Sequence, residues 1–168
     1  TTDDPVVRVR VKTTVGAEQA EAAQELADQV KLQLDSPPSM ERVDIKVTGP
    51  SPQEKTKIAI KLDYEVTVPA GANVICKNEW GDTEISGVTG SVEIDSRFGA
   101  IDLRNIGGPV RARAWGEFPL RASQLRQGGT FELQGTQGEF ANVSGALKIS
   151  NFMGSVAVRE LPAETELD

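Results

Sequence analysis

Apolar and polar residues alternate with a period of two along most of the chain between Val68 and Leu161. Each short alternating run ends at a glycine-containing turn, such as Ser86-Gly87-Val88-Thr89-Gly90. A period of two is typical of strands that bury one face, since successive side chains of a strand point to opposite sides. The pattern therefore predicts many short strands joined by tight turns.

The turns recur at a nearly fixed interval. An aromatic residue followed by glycine occurs at Trp80-Gly81, Phe98-Gly99 and Trp115-Gly116, which are 18 and 17 residues apart. A unit of about 18 residues is too small to bury its own apolar face, so consecutive units have to stack. We therefore predict a mainly β fold, a single-domain β-solenoid of stacked coils over residues 68–168.

The alternation also predicts which side chains point into the solenoid. The inward pairs of one strand are Val74 and Cys76, Val92 and Ile94, Val110 and Ala112, Phe131 and Leu133, and Leu147 and Ile149. Those of the other strand are Thr83 and Ile85, Ile101 and Leu103, Phe118 and Leu120, and Val156 and Val158, with a break at Phe140 and Asn142. Stacked coils place equivalent residues about 4.8 Å apart, so we expect continuous apolar columns.

Charged residues lie between the predicted inward positions and change sign from repeat to repeat. They form two predicted outward columns, the first with Glu93, Arg111, Glu132 and Lys148 and the second with Lys77, Asp95 and Arg113. Opposite charges on neighbouring strands stabilise their pairing by roughly a few tenths of a kcal/mol. We therefore interpret these residues as a structural charge ladder.

The first 67 residues have a different pattern. Val6 to Val11 and Lys57 to Val68 alternate as strands, and further strands are predicted at Val30 to Leu34 and Val43 to Val47. Ala17 to Asp28 is rich in alanine and glutamate, lacks proline and carries apolar residues at helical spacing, so it predicts one short helix. We interpret residues 1–67 as an N-terminal α+β cap over one end of the solenoid, because uncovered sheet edges promote aggregation.

Composition and charge exclude several classes of function. The chain has 168 residues and a formal net charge of −7, which disfavours binding to nucleic acid or to anionic membrane surfaces. No apolar run approaches the roughly 20 residues of a membrane span. Histidine is absent and Cys76 is the only cysteine, so the commonest general base and metal ligand are missing and no internal disulfide can form. We therefore predict no metal site and no cofactor.

Four acidic residues, Glu84, Glu93, Asp95 and Asp102, are the candidates for acid–base chemistry or for a hard cation such as calcium. We favour pairing with arginines on the next repeat as the explanation of these residues, because the alternating columns already account for their charges, and the Gly-Gly-x-Gly-x-Asp spacing of calcium-binding solenoids is absent. Cys76 aligns with apolar residues and has no histidine to activate it. We therefore predict no catalytic residues, and a polysaccharide-acting enzyme is the least favoured alternative.

The recurring aromatic residues Trp80, Phe98 and Trp115 are the best candidates for a ligand or partner surface. Rings at one corner of consecutive coils can stack on sugars or anchor a protein partner. They can also pack a corner of the solenoid or lie under the cap, and we favour that structural interpretation. A carbohydrate-binding module that uses this aromatic corner is the alternative function.

A second surface candidate is an arginine stripe. Arg104, Arg121 and Arg159 fall in one predicted outward column, with Arg126 nearby, and guanidinium groups bind carboxylates and phosphates bidentately. A solvated edge explains these residues as well, and the net charge of −7 argues against an extended anionic ligand.

Several of these motifs together resemble a known family. The sequence Val68-Pro69-Ala70-Gly71, the stretch Asn78 to Gly81 followed by Asp82, and the turn Ser86 to Gly90 are similar to the adhesin-like domain family of bacteria, whose function is unknown. The resemblance covers essentially the whole chain, including the helix between two strands near its start. It implies a β-solenoid on an exported protein of the cell envelope or exterior, and it carries no catalytic residues with it.

The combined features predict a non-enzymatic, exported β-solenoid that acts as a structural or adhesive module in the periplasm, on the cell surface or outside the cell. The chain begins at Thr1 rather than at methionine, which is typical both of a protein whose signal peptide has been removed and of a trimmed sequence. The expected partners are a second copy, stacked head to tail through open strand edges, or a surface glycan or protein. Nucleic acid and membrane insertion are not expected.

Overall fold

A computed structural model of the chain describes residues 7–16, 24, 28, 31–35, 44–48, 59–160 and 165–167. These residues form fifteen β-strands, and Gln24 and Asp28 are helical. The strands are β1 (Arg8–Gly16), β2 (Lys31–Asp35), β3 (Asp44–Thr48), β4 (Ala59–Thr67), β5 (Val74–Trp80), β6 (Thr83–Ser86), β7 (Val92–Phe98), β8 (Ile101–Ile106), β9 (Val110–Trp115), β10 (Leu120–Leu125), β11 (Gly129–Gln134), β12 (Gly138–Val143), β13 (Leu147–Phe152), β14 (Val156–Arg159) and β15 (Thr165–Leu167). The predicted mainly β fold is confirmed.

The described residues separate into two compact units, one within Val6–Thr67 and one within Val68–Asp168. In the first unit β1 pairs with β4 and β2 pairs with β3, in both cases antiparallel. Arg10 and Glu65 lie directly opposite each other on β1 and β4 and form an ion pair of 2.8 Å. Apart from Gln24 and Asp28, the predicted helix lies outside the described residues, and the role of this unit as a cap stays a prediction.

The second unit is a β-solenoid of about five coils. Odd-numbered strands form a six-stranded sheet in the order β15-β13-β11-β9-β7-β5, and even-numbered strands form a five-stranded sheet in the order β14-β12-β10-β8-β6. All pairings in these two sheets are parallel and join strands one coil apart. The chain therefore crosses from one sheet to the other and back in every coil, as the repeats predict.

The interior of the solenoid is filled by apolar side chains from both sheets. The buried apolar members of the strands are Val92, Ile94, Ile101, Leu103, Ile106, Val110, Ala112, Ala114, Leu120, Ala122, Leu125, Phe131, Leu133, Phe140, Val143, Leu147 and Ile149. Burial of one large aliphatic or aromatic side chain stabilises a fold by about 1.5–3 kcal/mol. A single core shared by consecutive coils therefore holds the unit together, because no coil can bury these residues alone.

In the fourth coil the register differs from the predicted one by two residues. Phe131 pairs with Ala112, whereas the repeat alignment placed Leu133 beside Ala112. The cause is Gly129, which opens β11 as the partner of Val110; a Cβ at Gly129 would lie 3.0 Å from the Val110 Cβ and would overlap the Val110 carbonyl oxygen. Because the shift is even, the same side chains still point inward.

The corrected register also explains how two phenylalanines fit inside this coil. Phe131 pairs with Ala112 and Phe140 pairs with Ala122, so each large ring stands on a small residue of the preceding coil. The two rings meet edge to face with centroids 4.7 Å apart and planes inclined by 73°. This arrangement is a favourable one for aromatic pairs, and it fills the space that the alanines leave.

The first corner of each coil leads from the six-stranded to the five-stranded sheet, through residues 81–82, 99–100, 116–119, 135–137 and 153–155 in successive coils. In the first coil, polar side chains of the Asn78 to Asp82 motif form hydrogen bonds at this corner. The Asn78 amide donates to the Gly81 carbonyl at 2.7 Å and to the Thr83 hydroxyl at 3.1 Å. The Asp82 carboxylate accepts the backbone N–H of Ala100, one coil away, at 2.9 Å. Two of these bonds satisfy backbone groups at the corner, the Gly81 carbonyl and the Ala100 N–H.

The second corner leads back to the six-stranded sheet, through residues 87–91, 107–109, 126–128 and 144–146. At its start one residue in each coil has a positive φ, namely Gly87 (70°), Asn105 (53°), Gln124 (55°), Asn142 (53°) and Glu160 (56°). A left-handed residue interrupts the alternation, so the residue after it points inward, and Val88, Ile106, Leu125 and Val143 are all buried. The prediction of Asn142 as an inward residue is therefore wrong, since Val143 takes that place.

Candidate functional site

The three aromatic residues of the predicted corner do not form one column. Trp80 and Phe98 are register partners at the ends of β5 and β7. Trp115 of β9 pairs with Gln134 in the next coil. In the preceding coil Ser96 pairs with Ala114, so this register places Trp115 one residue before the position opposite Phe98. The interval of 17 residues causes this, because a one-residue change moves a side chain to the opposite face of its strand.

The first corner nevertheless has an exposed aromatic edge, made of Phe98 and Phe118, and Phe152 and Met153 are exposed where this corner recurs two coils further along. Phe98 is 40% exposed and Phe118 is 44% exposed. Both rings lie within 4 Å of the position that a Cβ on Gly116 would occupy, so the missing side chain of Gly116 leaves room for them. Trp115 is half-buried, whereas the side chain of Trp80 lies outside the part of the chain that the structure describes.

Phe118 belongs to this edge rather than to the core, which corrects its predicted inward position. It precedes Pro119 in the first corner, and the inward positions of β10 belong to Leu120 and Ala122. Proline lacks the N–H that a central strand donates, so β10 begins after Pro119. This proline was the sequence signal that could have placed Phe118 in the corner.

The charge ladder lies on the outward face of the six-stranded sheet, with one change of column. Lys77 pairs with Asp95, Asp95 with Arg113, and Arg113 with Glu132. Glu132 therefore does not lie in the predicted column with Glu93 and Arg111, and Thr130 occupies that position instead. The Glu132 carboxylate contacts Arg113 at 3.1 Å and Arg111 at 3.7 Å. The charges therefore alternate in the observed column that begins at Lys77, whereas in the other column the uncharged Thr130 separates Arg111 from Lys148.

The acidic residues considered for catalysis are mostly paired with arginines. The Asp102 carboxylate accepts two hydrogen bonds from Arg104, and these bonds raise the pKa of the Arg104 guanidinium. Glu84 lies 3.9 Å from the same guanidinium. Glu93 faces Arg111 across the ladder. Among residues 7–16, 31–35, 44–48, 59–160 and 165–167, no three histidine, cysteine, aspartate or glutamate side chains converge on a metal position.

The predicted arginine stripe divides into two columns on the outward face of the five-stranded sheet. Arg104 and Arg159 share one column with Ser123 and Ala141 between them. Arg121 lies in the neighbouring column, between Asp102 and Glu139. The two columns differ by two residues along the strand, so Arg121 faces outward like Arg104 but pairs with different partners.

An open depression of about 440 Å³ lies over the small residues of these columns. We call it the arginine depression, and its lining includes Arg104, Arg121, Ser123, Glu139, Ala141 and Arg159. Arg121 and Glu139 form an ion pair of 3.4 Å on its side. The depression thus combines guanidinium donors with carboxylate and hydroxyl acceptors.

Cys76 occupies an inward position in β5 beside Ile94, as the repeat predicts. Burial raises the pKa of its thiol, and a side-chain hydrogen bond with Thr83 partly offsets this rise. A raised pKa keeps the sulfur protonated and unreactive at neutral pH. The position and the pKa direction agree with a packing role for Cys76.

Comparison of the chain with protein-family models, with curated proteins and with solved structures found no match. The described residues contain no helix that is long and apolar enough to span a membrane. The site geometry is therefore the basis for assigning a function.

Proposed function

We propose that the protein is a non-enzymatic, exported β-solenoid that serves as a structural or adhesive module of the bacterial cell envelope or exterior. The observation that carries the proposal is the unbroken apolar core from β7 to β13, which joins the coils into one body with two outward faces. A preformed, well-packed surface binds without first having to be ordered, so a solenoid is well suited to adhesion. The resemblance of the Val68–Gly90 motifs to adhesin-like domains supports the envelope location.

The adhesive form of the proposal predicts retention on envelope material. Beads coated with the protein are passed over immobilised bacterial cell-envelope fragments, and control beads carry a globular protein of similar size and net charge. We expect several-fold more of the protein-coated beads to be retained under flow. Equal retention of both kinds of bead would contradict adhesion.

The structural form of the proposal predicts self-association through strand edges. Among the described strands, β6 and β14 are the edges of the five-stranded sheet, and their inward side chains Thr83, Ile85, Val156 and Val158 are only half-buried. Stacking of two copies would cover such side chains and extend the apolar columns. Sedimentation velocity over a hundredfold concentration range should then show growing particles, whereas a constant monomer would leave adhesion as the remaining form.

A carbohydrate-binding module is the second candidate function, and the exposed aromatic edge favours it. Phe98 and Phe118 are both exposed beside Gly116, and Trp115 directly precedes that glycine in the chain. Aromatic rings of this kind stack on the apolar faces of sugars. Trp115→Ala and Phe118→Ala should each abolish retardation in affinity gels that contain a bound polysaccharide, with the circular dichroism spectrum unchanged. Identical migration of both variants and the parent protein would exclude this edge as the binding surface.

A further inference from the structure

The outward face of the five-stranded sheet is recessed where its side chains are small. Ser123 and Ala141 lie between Arg104 and Arg159 in one column, and Ala157 lies beside them in the next. Strands are about 4.8 Å apart, so the two arginines stand roughly 14 Å from each other across three spacings. The arginine depression is therefore long enough for a few linked rings or residues of a ligand.

Arg159 is the cation of this depression that is placed to bind a ligand. Arg104 is held by Asp102 and Arg121 is held by Glu139, whereas Arg159 has no ion-pair partner among the described residues. It is exposed at the end of β14. A guanidinium group binds a carboxylate through two parallel hydrogen bonds, so Arg159 is placed to take an acidic group. Three arginines and two carboxylates line the depression, so the lining carries a net positive charge although the chain carries −7.

The carboxylates of the depression determine which chemical groups the ligand needs besides its acidic group. Glu139 and Asp102 repel a compact, dense anion such as phosphate, but each can accept hydrogen bonds from hydroxyl groups. Ser123 adds a hydroxyl that can donate and accept. A ligand that satisfies this set has hydroxyl groups as well as an acidic group.

The sheet geometry disfavours an extended peptide in the same place. β10 pairs with β8 and β12, and β12 pairs with β10 and β14, so the backbone groups beneath the depression already form ladder bonds. A peptide that binds by adding a strand needs an open sheet edge, which this face does not offer. Recognition here has to come from side chains, and the hydroxyl groups of a sugar match them better than peptide groups do.

We propose that the arginine depression binds an acidic oligosaccharide, with Arg159 holding the carboxylate of a uronic acid unit and Ser123 and Glu139 contacting its hydroxyl groups. This inference rests on the proposed adhesive function and names its ligand class. Ala141 and Ala157 form the floor against which the sugar ring lies. The site is separate from the aromatic edge, which is on the first corner.

Isothermal titration calorimetry with trigalacturonate tests this proposal. The matched probes are the fully methyl-esterified trisaccharide, which keeps the rings but loses the charges, and inorganic phosphate. We expect saturable binding of trigalacturonate and at least tenfold weaker binding of the ester and of phosphate. Equal binding of the ester would show that the carboxylate is not recognised, and equal binding of phosphate would show a simple anion site; either result would overturn the proposal.

Two variants locate the binding in the depression. Ala141→Leu fills the floor on an outward face, and Arg159→Gln removes the cation while keeping a similar side-chain length. Each should weaken trigalacturonate binding by about tenfold, in line with the loss of a charge-assisted bond pair or of the space for the ring. Arg126→Gln is the matched control, because Arg126 is exposed at the second corner outside the depression. An equal loss in Arg126→Gln would indicate nonspecific attraction and would overturn the proposal.

The same variants in the envelope-retention assay separate this inference from the function on which it rests. Retention that persists in Arg159→Gln and Ala141→Leu, together with the absence of trigalacturonate binding, would overturn the acidic-sugar site and leave adhesion standing. Loss of retention in both variants but not in Arg126→Gln would support both. No retention of the parent protein alongside specific trigalacturonate binding would contradict adhesion alone.

Discussion

The two corners of each coil achieve the same reversal with different residues. At the first corner the residues with positive φ are mostly glycines, namely Gly81, Gly116 and Gly135, followed by Met153 in the last coil. At the start of the second corner only the first coil has glycine, at Gly87, and the next coils have Asn105, Gln124, Asn142 and Glu160, although Gly128 and Gly145 follow later in the corner. A left-handed conformation costs a residue with a Cβ about 1–2 kcal/mol, and asparagine tolerates it better than glutamine or glutamate. The second corner is therefore the more strained of the two.

The difference shows what stabilises each corner. The first corner relies on the freedom of glycine and leaves aromatic side chains exposed beside it. The second corner holds an unfavourable backbone conformation because it places an aliphatic side chain in the core in the same coil, as Leu125 after Gln124. Burial of that side chain, worth about 1.5–3 kcal/mol, exceeds the cost of the strained φ. Tertiary packing thus decides the local conformation at the second corner.

The largest effect should come from removing the buried residue that follows the strained one. Leu125 is 1% exposed and pairs with Ile106 and Val143 in the adjacent coils. Leu125→Ala should lower the free energy of unfolding by about 3–4 kcal/mol, measured by urea denaturation. The control is Met153→Ala, since Met153 has a positive φ at the first corner but is 79% exposed, and it should change stability by less than about 0.5 kcal/mol. Equal losses in both variants would remove the proposed difference between the corners.

The period, the inward faces and the coil architecture could be predicted from the sequence because glycine spacing and apolar alternation both report them. The inward positions of β7, β8, β9 and β13 were read correctly from alternation alone. The register of β11 could not be predicted in the same way. A shift of two residues keeps every inward side chain inward, so only the close fit of Gly129 on Val110 distinguishes the two registers.

The candidate sites were predictable in residue type but not in grouping. The sequence indicated arginines and aromatics as surface candidates, yet Trp115 is out of line with Phe98, and Arg121 is in a different column from Arg104. The arginine depression exists because the outward side chains of Ser123 and Ala141 are small, and no sequence motif indicates that small outward residues line a binding site. The turns of the second corner are predictable from their glycines, but the positive φ at Gln124 is not, because glutamine rarely adopts this conformation.

Paired glycine substitutions should separate steric closeness from backbone conformation at the two corners. Gly128 at the second corner and Gly135 at the first have similar φ values of 65° and 71°. A Cβ on Gly128 would overlap the carbonyl oxygen of Ala146, whereas the nearest atom to a Cβ on Gly135 is 3.6 Å away. Gly135→Ala should cost about 1 kcal/mol from conformation alone, and Gly128→Ala about 3 kcal/mol, because the coils must also move apart. Thermal unfolding of both variants measures the difference, and equal costs would show that the coils are not tightly spaced at the second corner.

Relief of the strain at Gln124 should stabilise the fold by a smaller amount. Gln124→Asn introduces the residue that the neighbouring coils already use at this position, Asn105 and Asn142, and it should raise the free energy of unfolding by about 0.5 kcal/mol. Gln127→Asn is the matched control, because Gln127 lies in the same corner and is exposed without a positive φ. A gain in the control equal to that in Gln124→Asn would attribute the effect to the unfolded chain rather than to the corner.

The smallest effect should appear at alkaline pH in the first coil, where Cys76 and Thr83 face each other across the first corner. Burial raises the pKa of the Cys76 thiol above its ordinary value of 9.0, so the folded protein holds this proton more tightly than the unfolded chain does. The stability that the thiol contributes is therefore complete below pH 9.0 and declines as the pH rises toward the raised pKa. Cys76→Val removes the titrating group but keeps an apolar side chain of similar size. The loss of unfolding free energy between pH 8 and pH 10.5 should be smaller in Cys76→Val than in the parent protein, because only the parent's unfolded chain gains a thiolate that the folded protein disfavours. Identical slopes would mean that the thiol is already solvated and that the first corner is looser in this coil than in the others.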